Sequence, residues 1–158
     1  LEQAIDRARH HGTQGYLFFI DLDGFKAIND TYGHEVGDQL LVTIAKRLQH
    51  SLRQSDITVR LGGDEFLVIL PTLDRQHQAE KIADKILNTL TDPVVLDDVI
   101  LKLTGSLGMV SFPADDLPPL ELINRADIAM YQAKHKGQGQ WCLFQDDMLE
   151  PGSVPMQR

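Results

Sequence analysis

The sequence predicts an α+β domain of ferredoxin-like architecture, in which helices cover a mostly antiparallel central sheet. Its 158 residues, 42% of them hydrophobic, are enough for one domain with a substantial core. Apolar runs are joined in succession by short turns, which is typical of antiparallel hairpins. Helical segments separate these hairpins, whereas a doubly wound sheet requires regular alternation of strands and helices.

The first elements follow from the pattern of apolar residues. A polar segment with a thin apolar stripe predicts a helix over Glu2–His10. The continuous apolar run Tyr16–Ile20 predicts a buried strand, and the carboxylates of Asp21 and Asp23 follow it directly. A short helix is expected next, over Phe25–Tyr32.

The middle of the chain predicts a long helix and a hairpin. The helix is expected to follow Gly37 and Asp38, because apolar residues recur beyond them at helical spacing. The apolar runs Ile57–Leu61 and Phe66–Leu70 are predicted to pair, since two glycines between them favour a tight turn.

The remaining elements complete the predicted order of strand, helix, helix, hairpin, helix, hairpin, helix, strand. A helix has its apolar face between Ala79 and Leu90. The runs Val99–Leu103 and Leu107–Phe112 predict a second hairpin. A third long helix, Leu120–Lys134, and a short final strand, Trp141–Phe144, follow.

Composition excludes several classes of protein. With 15 Lys and Arg against 23 Asp and Glu, the net charge of −8 does not fit a partner that is a polymeric nucleic acid. The single cysteine, Cys142, excludes an intrachain disulfide and is compatible with a reducing cytoplasm. The apolar run Tyr16–Ile20 is far shorter than the roughly 20 residues that span a bilayer. We therefore expect a cytoplasmic segment without membrane contact.

Two pairs of acidic residues stand at predicted strand ends. Asp21 and Asp23 follow the first strand, and Asp64 and Glu65 lie in the turn of the first hairpin. Carboxylates placed in this way can converge at a sheet edge and bind Mg²⁺, which usually takes one or two carboxylates together with substrate phosphates. The alternative is that both pairs are solvated turn residues.

The string from Arg60 to Phe66, Arg-Leu-Gly-Gly-Asp-Glu-Phe, resembles the signature of the GGDEF family, the diguanylate cyclases. Further matching blocks occur in family order over about residues 15 to 140: Asp21–Asp30, Gly33-His34, Gly37-Asp38, Ser106–Gly108 and Ala126–Lys134. The resemblance implies a nucleotidyl cyclase-like fold with a palm-type sheet.

The resemblance also implies a metal site and a catalytic pair. Asp21, the Leu22 carbonyl, Asp64 and Glu65 would bind Mg²⁺, or alternatively Mn²⁺. Asp64 and Glu65 would be the catalytic residues. Glu65 would support deprotonation of the attacking ribose hydroxyl or contribute to metal binding.

The residues implied for binding of GTP are Lys26, Asn29, Asp38, Gly62, Gly63 and Lys134. Asn29 and Asp38 would recognise guanine, since a carboxylate can accept hydrogen bonds from guanine N–H groups. Lys26 and Lys134 would neutralise the triphosphate. The two glycines would let the backbone approach the nucleotide.

Arg53-Gln54-Ser55-Asp56 resembles the RxxD motif through which family members bind their product, cyclic di-GMP, as an inhibitor. Arginine suits guanine and phosphate through two parallel hydrogen bonds, and aspartate suits the guanine donors. The alternative for Arg53 and Asp56 is an ordinary surface ion pair.

Two departures from the family pattern qualify these expectations. Gln138 stands where relatives commonly have a cationic residue, and Lys136 is a candidate substitute. The motif with which family domains usually begin is absent, so we expect a fragment of a longer multidomain protein, which other regions can anchor to a membrane. The domain is expected over residues 1–148, and residues 149–158 are expected to be a disordered or cloning-derived tail.

The function that the resemblance implies is condensation of two GTP into cyclic di-GMP with release of two pyrophosphates, at the interface of a homodimer. The alternative is a catalytically weak regulatory module that binds GTP or cyclic di-GMP and controls an attached domain.

Overall fold

A computed structural model of the chain describes residues 1–150. Apart from Leu149 and Glu150, the predicted tail lies outside the described residues. The elements are α1 (Glu2–His11), β1 (Gly15–Asp23), α2 (Phe25–Tyr32), α3 (His34–Ser51), β2 (Ile57–Gly62), β3 (Glu65–Leu70), α4 (Gln76–Thr91), β4 (Val94–Leu96), β5 (Val99–Leu101), β6 (Thr104–Phe112), α5 (Pro119–Lys136), β7 (Trp141–Leu143) and a 3₁₀ helix (Asp146–Leu149).

A five-stranded sheet of order β2-β3-β1-β6-β7 forms the centre of the molecule. The neighbouring pairs are antiparallel except β6 and β7, which run parallel. The predicted α+β class and the mostly antiparallel sheet are therefore confirmed. Strand β1 lies in the middle, is hydrogen-bonded on both sides, and is buried along its whole length.

Alternation along β1 divides the core into two layers. Phe18 and Ile20 point to one face, where they belong to the core formed with α3 and α4. Leu17 and Phe19 point to the other face, where α1 and α5 cover the sheet. Since both faces are covered, the continuous apolar run that predicted β1 is what a doubly buried strand requires.

The predicted second hairpin is wrong in its pairing. Strand β5 pairs with β4 in a separate two-stranded sheet, with Leu96 opposite Val99. Asp97 makes the turn between them with a φ of 50°. Strand β6 instead pairs with β1 along its whole length and with β7 at Leu107, Gly108 and Met109.

Helix α3 begins at His34, so Gly37 and Asp38, which were predicted to precede this helix, lie in its first turns. A Cβ at position 37 would overlap the side-chain oxygen of Asn29, so glycine here lets the Asn29 side chain lie against α3. The residue that looked like a helix boundary is therefore a point of close approach between α2 and α3. None of the helices within residues 1–150 is long and apolar enough to traverse a lipid bilayer.

Candidate active site

The end of β1 and the turn between β2 and β3 bring three acidic residues to one edge of the sheet. Asp21 lies opposite Glu65 in the antiparallel ladder. The turn is held to β1 because the Leu22 amide donates a hydrogen bond to the Asp64 carbonyl oxygen at 3.2 Å. The residues named for metal binding and catalysis are thus neighbours.

Asp21 is buried, and its two oxygens differ in their surroundings. Oδ2 accepts a hydrogen bond from Lys134 Nζ at 2.8 Å. Oδ1 is also buried and has no hydrogen-bond partner. A buried carboxylate oxygen without a donor is costly, so Oδ1 is a position at which a cationic ligand would be stabilised.

Burial and the charge on Asp21 together set the electrostatics of this edge. Burial, and then the charge of and a hydrogen bond with Asp21, raise the pKa of Asp64 from its usual 3.8 to about 6. Burial, and then the charge on Asp21, also raise the pKa of Asp127 on α5. Burial alone would lower the pKa of Lys134, but its hydrogen bond and attraction to Asp21 outweigh this and raise it. The lysine therefore stays charged among repelling carboxyl groups.

This arrangement fits a divalent cation that is completed by a substrate. Among residues 1–150, no group of three or more His, Cys, Asp or Glu is placed to hold a metal ion by itself. Asp21 and Asp64 supply two carboxylates whose mutual repulsion a dication would relieve. Mg²⁺ typically takes one or two carboxylates and fills its other positions with water and phosphate oxygens.

Asp23 does not share this role, although it belongs to the same predicted acidic pair as Asp21. Its Oδ2 accepts from Thr104 Oγ1 at 2.7 Å and from the Gly139 amide at 3.4 Å, and its Oδ1 accepts from Ser106 Oγ at 2.8 Å. Both oxygens are occupied. Asp23 therefore ties the loop after α5 to the start of β6.

The residues named for binding of guanine lie on α2 and α3. Asn29 is half-buried against Gly37, and its side-chain oxygen has no hydrogen-bond partner. Asp38, which follows Gly37 in α3, is exposed, and so is Lys26 on α2. The exposed Asp38 carboxylate offers acceptors to the donor edge of a base, whereas the Asn29 oxygen is buried beside Gly37.

The glycine turn leaves an open surface beside the carboxylates. Gly62 and Gly63 have φ values of 145° and 53°, and no atom lies within 4 Å of a Cβ built on either. Arg60 fixes the turn because its Nε donates to the Gly63 carbonyl at 3.0 Å. Glycine is required here for backbone conformation, and the space above it is free for a ligand.

Comparison with known proteins assigns the family. The family model described as "Diguanylate cyclase, GGDEF domain" matches residues 1–140. The chain belongs to the GGDEF family.

Two relatives of this GGDEF domain come from Pseudomonas aeruginosa. It is 37% identical over 94% of its length to MucR, named a bifunctional diguanylate cyclase/cyclic di-GMP phosphodiesterase, of which it spans 22%. It is 41% identical over 88% of its length to the diguanylate cyclase TpbB, of which it spans 32%. The chain therefore corresponds to a minor part of these longer proteins.

Solved structures agree with the fold. The crystal structure of the GGDEF domain of TpbB superposes with a TM-score of 0.88 at 40% identity, covering 92% of this chain and 91% of that one. The GGDEF domain of DgcB from Caulobacter crescentus, solved in complex with c-di-GMP, gives 0.83 at 25% identity and covers 90% and 85%.

The RxxD residues of this GGDEF domain, Arg53 and Asp56, form an ion pair with each other just before β2. This pair lies at the opposite end of that strand from the glycine turn. Arg53 Nε and Nη2 donate to the two Asp56 oxygens at 3.2 and 3.0 Å, and the Arg53 amide donates to Oδ2 at 2.9 Å. Nη2 also donates to the Thr72 carbonyl at 3.1 Å. The Asp56 side chain is 1% exposed, so its oxygens face arginine rather than solvent.

Sequence reasoning assigned no separate role to two residues of the site, Asp127 and Arg60. Asp127 lies seven residues before Lys134 on α5, a spacing that puts both on one helix face. That spacing was the available signal. Arg60 gave no such signal, because its contact with Gly63 depends on how the turn folds.

Proposed function

We propose that this chain is the catalytic domain of a diguanylate cyclase, which condenses two GTP into cyclic di-GMP and releases two pyrophosphates. The observation that carries the proposal is the convergence of Asp21, Asp64 and Glu65 beside Lys134 and an open glycine turn. Membership of the GGDEF family and the names of the relatives support it.

The proposed position of GTP follows from where its possible partners lie. Guanine is read by Asn29 and Asp38 at the junction of α2 and α3. The triphosphate runs along the end of β1 toward Lys134, with Lys26 as a further cation and the glycine turn against its backbone side. Lys134 is already held charged at this edge, so phosphate oxygens can share it with Asp21.

The carboxylates divide the chemical work. Mg²⁺ or Mn²⁺, bound by Asp21, Asp64 and the Leu22 carbonyl, would stabilise charge that develops on the phosphate. Glu65 supports removal of the proton from the attacking 3′-hydroxyl or contributes to metal binding. The remaining acceleration comes from alignment of the hydroxyl with the α-phosphate, as in other phosphoryl transfers.

Each domain holds one GTP in this proposal, so the competent species is an antiparallel homodimer. The 3′-hydroxyl of each nucleotide attacks the α-phosphate of the other. Two bonds form and two pyrophosphates leave, which gives one cyclic product for each dimer.

The decisive experiment is incubation of the protein with GTP and Mg²⁺ at high protein concentration, followed by chromatography. Cyclic di-GMP and pyrophosphate in a ratio of one to two are expected, and none with Asp64→Asn. Asp6→Asn, which removes an exposed carboxylate on α1, is the matched control and should retain full activity. Absence of product from a folded wild-type protein contradicts the proposal.

Arg53 and Asp56 are proposed as the site at which the product inhibits. The bidentate ion pair already holds Arg53 toward a cavity of roughly 620 Å³. The complex of the DgcB domain with c-di-GMP shows that a GGDEF domain of this fold binds the product.

A regulatory module that binds nucleotide without turnover is the second candidate. Gln138 favours it, because this residue supplies no charge to a triphosphate. Lys136 does not replace that charge in this conformation, since its Nζ lies 3.6 Å from the sulfur of buried Cys142. Tight binding of GTP together with no product at high protein concentration would select this candidate.

A further inference from the structure

A cavity of roughly 530 Å³ adjoins the proposed nucleotide site on its β6 side. Its walls include Gly24 and Ala27 at the start of α2, Thr91 at the end of α4, and Gln138 in the loop after α5. The cavity therefore begins at the end of β1 and extends between the start of α2 and the start of β6.

Two charged residues line this cavity, Asp23 and Lys102. The oxygens of Asp23 are taken up by Thr104, Ser106 and the Gly139 amide. Within residues 1–150, no hydrogen bond or ion pair engages the ammonium group of Lys102, which is exposed between β5 and β6. Lys102 is thus the cation of this cavity that is available to a ligand.

The fold explains why Lys102 and Gln138 share one cavity. Asp23 joins Thr104, two residues after Lys102, to Gly139, the residue after Gln138. This clamp holds the start of β6 beside the loop that follows α5. Lys136 lies in the same stretch of chain as Gln138, but it is directed to Cys142 in the core of the opposite face.

We propose that Lys102 contacts the terminal phosphates of bound GTP and supplies the positive charge that Gln138 does not. The inference rests on the proposed function, which places the triphosphate at this end of β1. Lys134 is already paired with Asp21 at 2.8 Å and Lys26 does not line this cavity, so phosphates that extend into the cavity meet Lys102 as their cation. Gln138 adds an amide donor beside that cation.

Calorimetric titration with 3′-deoxy-GTP and 3′-deoxy-GMP in Mg²⁺ buffer tests this, because neither nucleotide has the hydroxyl needed for turnover. Lys102→Gln should weaken binding of the triphosphate about three- to tenfold, the range for a partly screened charged contact, and leave the monophosphate unchanged. Lys46→Gln, at an exposed lysine of α3, is the matched control and should change neither affinity. Adding Gln138→Arg to Lys102→Gln should restore binding of the triphosphate.

The other outcomes distinguish failure of the role proposed for Lys102 from failure of the proposed function. If Lys102→Gln changes neither affinity, or changes both equally, Lys102 does not contact the terminal phosphates and the inference fails alone. If the wild-type protein binds both nucleotides equally well, the inference fails and the guanine site stands. If it binds neither, the proposed function fails together with the inference.

Discussion

Glu65 lies opposite Asp21 at the end of the β1–β3 ladder, so the two side chains are on the same face of the sheet. Glu65→Gln keeps the size of the side chain but removes its charge and its capacity to accept a proton. We expect cyclic di-GMP formation to fall by at least about a hundredfold, as is typical when a general acid–base group is lost. Initial rates, with circular dichroism to verify the fold, measure this effect.

The control for that change is Glu2→Gln in the first turn of α1, which should retain full activity. Near-normal turnover of folded Glu65→Gln protein would remove Glu65 from the reaction.

The raised pKa of Asp64 predicts that the free energy of unfolding depends on pH. Its pKa is about 6 in the folded protein, above its usual 3.8, so its folded form favours the proton. The stability that this group contributes is fully present below about pH 4 and is lost as the pH rises through 6. In EDTA, Asp64→Asn should therefore raise the free energy of unfolding at pH 8 by about 1 kcal/mol, after discounting for solvent screening.

Urea denaturation of wild type and Asp64→Asn at pH 4 and pH 8 measures this difference. The two proteins should be equally stable at pH 4. If Asp64→Asn were more stable than the wild type by the same amount at both pH values, charge repulsion would not be the source of the added stability. Added Mg²⁺ should stabilise the wild type at pH 8 and leave Asp64→Asn unaffected.

The acidic residues show which features of the site could be predicted from the sequence. The Gly-Gly-Asp-Glu-Phe string and the block that begins at Asp21 were sufficient to name Asp21, Asp64 and Glu65, which the fold brings together. The resemblance assigned metal binding to Asp21 and no role to Asp23, but the two residues read as an acidic pair gave no physical reason for that difference. That difference depends on which hydroxyl groups β6 presents to Asp23, and β6 lies more than 80 residues away in the chain.

At the scale of elements, the contact between β6 and α5 depends on the absence of a side chain at Gly108. A Cβ there would overlap the backbone of α5 at Ala126 and Met130, which cannot rotate away. Gly108→Ala should therefore lower the free energy of unfolding by about 3 kcal/mol, at the upper end of the usual cost of overpacking.

Gly105→Ala in the same strand is the matched comparison. Its Cβ would meet the end of the Leu90 side chain, which can change rotamer, so a loss of about 1 kcal/mol is expected. Chemical denaturation of both variants decides the matter. Equal losses would show that the backbone of α5 can yield as easily as a leucine side chain.

The elements that the sequence predicted best are those with long, regular apolar patterns, such as β1 and α5. The strand that it missed, β4, has three residues and follows Pro93, so it is too short to show a period. Its partner β5 was consequently assigned to β6. Helix α3 was expected to start late because Gly37 resembles a helix boundary, whereas Gly37 lies inside the helix, where the Asn29 side chain of α2 packs against it.

For the whole molecule, the prediction concerns feedback by the product. Arg53 and Asp56 are hydrogen-bonded to each other in this structure, so we expect that loss of either residue weakens the binding of cyclic di-GMP. Arg53→Ala and Asp56→Ala should each increase accumulated product while the initial rate remains similar. An ordinary surface ion pair predicts no change in either quantity.

Progress curves with and without added cyclic di-GMP distinguish these outcomes. Arg9→Ala, at an exposed ion pair with Asp116, is the control and should remain as inhibited as the wild type. If the wild type shows no inhibition, or all variants are inhibited equally, the RxxD residues do not form a product site.

The central place of β1 has a consequence for hydrogen exchange. This strand carries Asp21, and its amides are protected by ladders on both sides. In deuterated buffer, amides from Leu17 to Asp21 should exchange only through global unfolding, whereas those of the two-stranded β4–β5 sheet should exchange through local opening. The backbone that positions the proposed catalytic carboxylate is thus in the last part of the domain to open, and fluctuations at the periphery leave its geometry intact.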